Sequence, residues 1–181
     1  VVGILIIIGL IVNMFGVDCK DDLIGFRYRV MPQLRPIAIP TAGKGFWGAI
    51  WMWLTGVRTW EVADDWAFKI GSTWYVIPQG FVFDGASIPK FLHTWLSPTG
   101  VLLMGGLVHD YAYKYATLLK SGKKKTMGTI TQKKADEIFR DINIEQNGFH
   151  LLNKLAYWAL RIGGFVAWNK HRKVNAKIGI K

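Results

Sequence analysis

The residues with the most chemistry in this chain are His109, Asp110 and Tyr113, in the run His-Asp-Tyr-Ala-Tyr, and Asp136 in the run Lys134–Phe139 downstream. A histidine beside one carboxylate, with a second carboxylate facing it from a neighbouring element, can run a metal-assisted attack of water on an ester or phosphoester. On a helix, the positions three, four and seven residues from His109 are Leu102, Gly105, Gly106, Ala112, Tyr113 and Ala116. Most are small, so a second helix can approach that face closely. The next helical pattern carries its apolar stripe at Ala135, Ile138, Phe139 and Ile142, with Asp136 at the edge. From there Asp136 can accept a hydrogen bond from the His109 ring and fix its tautomer. Asp110 projects to a different side and is placed to hold a hard cation such as Ca²⁺. The same pair also has a plain structural reading, because a helix-buried His with an Asp is a common core polar pair. A metal-dependent phosphohydrolase reading, with His93, His109, Asp110 and Asp136 or Asp141 as ligands, ranks lower because His93 is poorly placed.

Elements must exist to position these groups. Thr59–Val62, Trp66–Ile70, Trp74–Ile77 and Phe81–Phe83 read as strands, with Gly71-Ser72 as a hairpin turn. The second half reads as helices over Val101–Tyr115, Gln132–Glu145 and Phe149–His171, with Gly163-Gly164 as a weak point and a Lys/Gly loop over Ser121–Thr129. The expected class is therefore α+β: a small antiparallel sheet followed by a helical layer of about three helices. Asp84-Gly85 ends the strand region as a turn, and Ser87-x-Pro89 reads as a helix start. Asp84 is expected to point towards His109 or Asp110, or to cap the Ser87 turn.

Upstream lies a different composition. Residues 1–17, VVGILIIIGLIVNMFGV, carry no charge, and about 17–25 apolar residues suffice to cross a bilayer core. An apolar membrane helix, a helix buried among other subunits and a signal peptide are the three readings of this segment. Residues 18–57 form an extended, Pro-rich arm with an aromatic segment at Gly45–Leu54; residues 58–171 are the α+β domain and residues 172–181 a basic tail. The net charge is +11, with no acidic residue beyond Glu145. The basic surface expected there, Lys170, Arg172, Lys173 and Lys177, suits an anionic lipid surface or membrane, or nucleic acid. Cys19 is the sole cysteine, so no internal disulfide forms.

Two resemblances follow. H-D-x-x-Y with a downstream A-D on an antiparallel helix resembles the catalytic helix pair of phospholipases A2. It implies that His109 activates water, Asp136 orients it, Tyr113 supports the network and Asp110 binds Ca²⁺, with Asp84 or carbonyls near Gly85 completing the shell in place of a glycine-rich calcium loop this chain lacks. A broader pattern runs through Pro78-x-Gly80-Phe81, Asp84-Gly85-Ala86-Ser87-Ile88-Pro89, His109-Asp110-Tyr111-x-Tyr113, Ala135-Asp136-x-x-Phe139, Arg161-x-Gly163-Gly164 and Trp168. It resembles an uncharacterised domain of unknown function found in bacteriophages and bacteria. That likeness implies a phage-encoded or prophage-like setting and no established activity; the apolar segment and extended arm add the expectation of other virion subunits as partners and of a virion or host-membrane location. The expectations are a membrane-acting, phospholipase-like hydrolase or a minor structural, tail-associated protein with a non-catalytic His–Asp network.

Overall fold

The computed structural model describes residues 23–39, 41–55, 59–84, 100, 102–122 and 128–177. The strand half forms two antiparallel sheets. One has the order β1 (Arg27–Tyr28), β4 (Trp66–Ile70), β5 (Thr73–Ile77), β7 (Leu119–Lys120); the other has the order β2 (Leu34–Ile37), β3 (Thr59–Val62), β6 (Val82–Phe83). The β4–β5 hairpin pairs Ile70 with Thr73 and turns at Gly71, whose φ of 59° is the left-handed value that a glycine adopts without strain. Alternation puts Trp66 and Phe68 of β4 and Tyr75 and Ile77 of β5 inside, and the Trp66 and Phe68 rings stack at 5.0 Å.

The Pro-rich arm is extended as expected, yet it is no free linker: Leu34–Ile37 pairs along its whole length with β3. Pro36 is tolerated because β2 is an edge strand, where a missing N–H costs no ladder bond. The aromatic segment forms a helix, α1 (Gly45–Thr55), with Phe46, Trp47 and Trp51 exposed.

Three helices form the second layer: α2 (Leu103–Tyr115), α3 (Gln132–Asn147) and α4 (His150–Lys177). Thr131 caps α3 by accepting from the Lys134 N–H at 3.2 Å, and Gly148 ends it at a φ of 68°. The helix α4 runs unbroken through Gly163-Gly164, and the basic tail continues it as far as Lys177. Packing across α4 outweighs the glycine penalty of about 1 kcal/mol each. The two sheets and α2 share one core in which Phe68, Ile77 and Phe83 meet Leu107, Val108 and Tyr111, while Leu102, Phe139, Ala156 and Leu160 form a second cluster between the helices.

Among the described residues no helix is long and apolar enough to cross a membrane. The expected transmembrane helix is thereby corrected for these residues: the apolar helix α1 is only 11 residues long, and the helices of the second layer carry charged groups along their length. Residues 1–17 lie outside the described residues, as do Gly85, Ser87 and His93.

Candidate functional site: a buried histidine–carboxylate network

The helices α2 and α3 run antiparallel, since Gly105 meets Asn143 and the later residue His109 meets the earlier Asp136. The small face of α2 permits this approach. A Cβ added at Gly105 would collide with the Asn143 amide, whose oxygen accepts from the Gly105 N–H at 3.2 Å. That bond supplies from another helix the cap that Leu102, preceding α2, does not make with its side chain.

At the level of His109 the helices hold one polar cluster. The imidazole is 1% exposed, with Nε2 3.0 Å from Asp136 Oδ1 and Nδ1 3.4 Å from Asp110 Oδ1. Asp136 Oδ1 also accepts from the Tyr113 hydroxyl at 2.6 Å, and its Oδ2 accepts from Arg161 Nη1 of α4 at 2.8 Å. Gln132 at the start of α3 donates to the Tyr113 oxygen at 3.2 Å. The Tyr113 hydroxyl reaches this position because residue 164 is glycine; a Cβ there would collide with it. Rings close the cluster: Tyr113 lies 4.0 Å from the His109 ring centroid, and Phe139 lies 5.4 Å from it.

The electrostatics follow from burial set against partners. Burial raises the Asp136 carboxyl, but hydrogen bonds from His109, Tyr113 and Arg161 outweigh it and hold the group below the usual range. Burial lowers the His109 imidazole, and its bonds and charge interactions with Asp110 and Asp136 outweigh that, so it is raised. Asp110 is pushed up to about 7, first by burial against the His109 contact that lowers it, with Asp84 adding to the rise. Asp110 Oδ2 is buried and accepts no hydrogen bond. Burial and the neighbouring Asp136 carboxylate raise the Tyr113 phenol.

His109, Tyr113 and Asp136 are thus brought together with the spacing the sequence implied, and Asp84 is near enough to act on Asp110. Three residues escaped the sequence reading. Arg161 was legible only as part of Arg161-x-Gly163-Gly164, Asn143 has no sequence signal, and Arg172 was expected on the basic surface. Instead Arg172 turns inward, donating from Nη2 to the Tyr113 and Lys114 carbonyls at 2.7 Å each, and Asn175 donates to the Lys114 carbonyl at 2.6 Å. These donors satisfy carbonyls at the C-terminus of α2, where a cation is also favoured by the helix dipole. Lys170, Lys173 and Lys177 are exposed as expected.

The expected metal-binding group is corrected for the described residues. Among the described residues no group of three or more His, Cys, Asp or Glu side chains could hold a metal ion. The acceptors of Asp136 are occupied by three donors and His109 lies between carboxylates, which leaves Asp84 and Asp110 as two carboxylates with no third His, Cys, Asp or Glu ligand among the described residues. Asp141, offered for the phosphohydrolase reading, is paired instead with Arg140 at 2.6 Å.

A family model matches residues 60–160, more than half of the chain. The chain belongs to the DUF1353 family. That family is described as a protein of unknown function, and the matched residues contain the whole strand hairpin, α2, α3 and the first part of α4 up to the residue before Arg161. DUF1353 membership brings neither a phage setting nor a hydrolase activity, so the expected bacteriophage, virion and phospholipase-like associations are unsupported. No curated protein and no solved structure matches the chain.

Proposed function

We propose that this protein is a structural component, and that its His109–Asp136 network is a non-catalytic lock that sets the helical layer whose outer surface meets a partner. The observation that supports it is the saturation of Asp136 and of the His109 ring. Asp136 is 0% exposed with three donors on its two oxygens, and both ring nitrogens of a 1% exposed His109 face carboxylates. A general base needs a free nitrogen within reach of the proton it takes. Here each nitrogen already has an acidic neighbour. The network also joins all three helices, α2 through His109 and Tyr113, α3 through Asp136 and α4 through Arg161, which is what a packing device must do. A buried carboxylate with its donors in place, as Asp136 is, fixes one arrangement of its helices, because an alternative leaves it and its donors unsatisfied.

The test is the full chain, supplied with Ca²⁺ and phospholipid vesicles, beside His109→Ala. No fatty-acid release from the parent and a lowered melting temperature for the variant are expected. Release by the parent that His109→Ala abolishes at an unchanged melting temperature overturns the reading.

A further inference from the structure

The inner face of α4 is committed: Asn153, Ala156, Leu160, Gly164 and Asn175 are buried against α2 and α3. The outer face has an unusual composition. Leu155, Trp158, Ile162, Phe165 and Val166 are 53%, 61%, 74%, 53% and 61% exposed, and with Ala159 they form a continuous stripe at helical spacing. The ridge 155-159-162-166 continues along the same face through residues 170, 173 and 177, each of them an exposed lysine, and Lys154 flanks its other end. No acidic residue occurs anywhere in α4. The ridge is therefore apolar for about 17 Å, at 1.5 Å per residue, and cationic for the remainder.

We propose that this face of α4 lies on an anionic lipid surface, with Ile162 and its neighbours in the acyl boundary and Lys170, Lys173 and Lys177 at the phosphates. Charge complementarity selects the occupant. A second copy of a chain with net charge +11 would bring lysine ridges together, which opposes self-association through this face. Nucleic acid would find phosphate partners at the lysine end and at Lys154 and would leave the aliphatic half between them uncovered. A lipid surface satisfies both halves at once, since in-plane helices bury apolar side chains about 5–10 Å into the boundary while lysines reach the headgroups. The helix lies on such a surface and does not cross one, because it is not apolar enough to span. This inference is independent of whether the buried network is catalytic, since Arg161 only orients the opposite face.

The experiment uses the full chain and flotation with vesicles of phosphatidylcholine, pure or mixed with phosphatidylglycerol. Binding is expected to the mixed vesicles and to fall as salt is raised. Ile162→Glu, at an exposed position that leaves the helix signal in circular dichroism unchanged, should weaken it about tenfold to a hundredfold, as the loss of one buried aliphatic side chain implies. Lys173→Gln should weaken it about fivefold. To locate the contact, Ile162→Cys in a Cys19→Ser background carries an environment-sensitive dye, whose emission should shift to the blue on mixed vesicles. Three results overturn the proposal: vesicle binding that Ile162→Glu leaves intact, which assigns it to another segment; a dye shift that depends on protein concentration without vesicles, which assigns the face to a second copy; and duplex DNA binding that both variants weaken equally.

Discussion

Replacing Asp136 by alanine tests the network at its centre. The substitution removes the acceptor for His109 Nε2 at 3.0 Å, the Tyr113 hydroxyl at 2.6 Å and Arg161 Nη1 at 2.8 Å. The three losses are unequal. The Arg161 side chain is 29% exposed and can turn to water, so its contribution is discounted. His109 and Tyr113 are 1% and 4% exposed and have no such escape. A hydrogen bond to a charged group contributes about 1.5–3 kcal/mol, and breaking a buried charged pair costs about 3–5 kcal/mol. Relief of the buried Asp136 carboxylate offsets part of this, which leaves an expected loss of about 3 kcal/mol, or about 6–12 °C in melting temperature for a chain of this size. Asp136→Asn should lose less, because an amide oxygen still accepts from His109 and Tyr113. The measurement is urea unfolding followed by tryptophan fluorescence, at a pH below the ordinary histidine value of about 6.5. Asp136→Ala within about 0.5 kcal/mol of the parent would refute the idea that this network holds the helices together.

Two further outcomes follow from the same geometry. Stability should fall as pH rises from about 4 towards 7 and beyond: Asp110, raised to about 7, favours the folded state only while protonated, and the raised His109 contributes fully below about 6.5 and is lost above its folded value. The lowered Asp136 acts oppositely, its contribution present above about 4 and lost as pH falls through its folded value. Asp110→Asn, which removes a buried unpartnered carboxylate oxygen, should flatten the neutral part of this profile in pH-dependent urea midpoints; an unchanged slope counts against Asp110 as its source. Gly105→Ala should destabilise by about 1–3 kcal/mol through overlap with the Asn143 amide, despite the better helix propensity of alanine. Thermal melts of Gly105→Ala, Asn143→Ala and the double variant should show that the two losses do not add, and additive losses would mean that the two residues do not meet.

Much of this arrangement was legible along the chain because it depends on local pattern. Period-two alternation placed β4 and β5, and the Gly71 turn set their pairing. The small residues around His109 together with the stripe beside Asp136 implied the antiparallel pair and its histidine–carboxylate contact. What the chain order could not show were partners remote in sequence and equivalent to any other polar residue until the helices pack. Asn143 caps α2 and Arg172 closes its far end only because α3 and α4 bring donors and acceptors to orphan backbone groups. Arg161, legible only within the Arg161-x-Gly163-Gly164 pattern, became the third donor to Asp136 because Gly164 lets α4 sit against Tyr113. The occupancy of the Asp136 oxygens was likewise tertiary. Residue types nominate ligands, but whether a carboxylate is free to bind a cation depends on which donors packing has already placed on its oxygens.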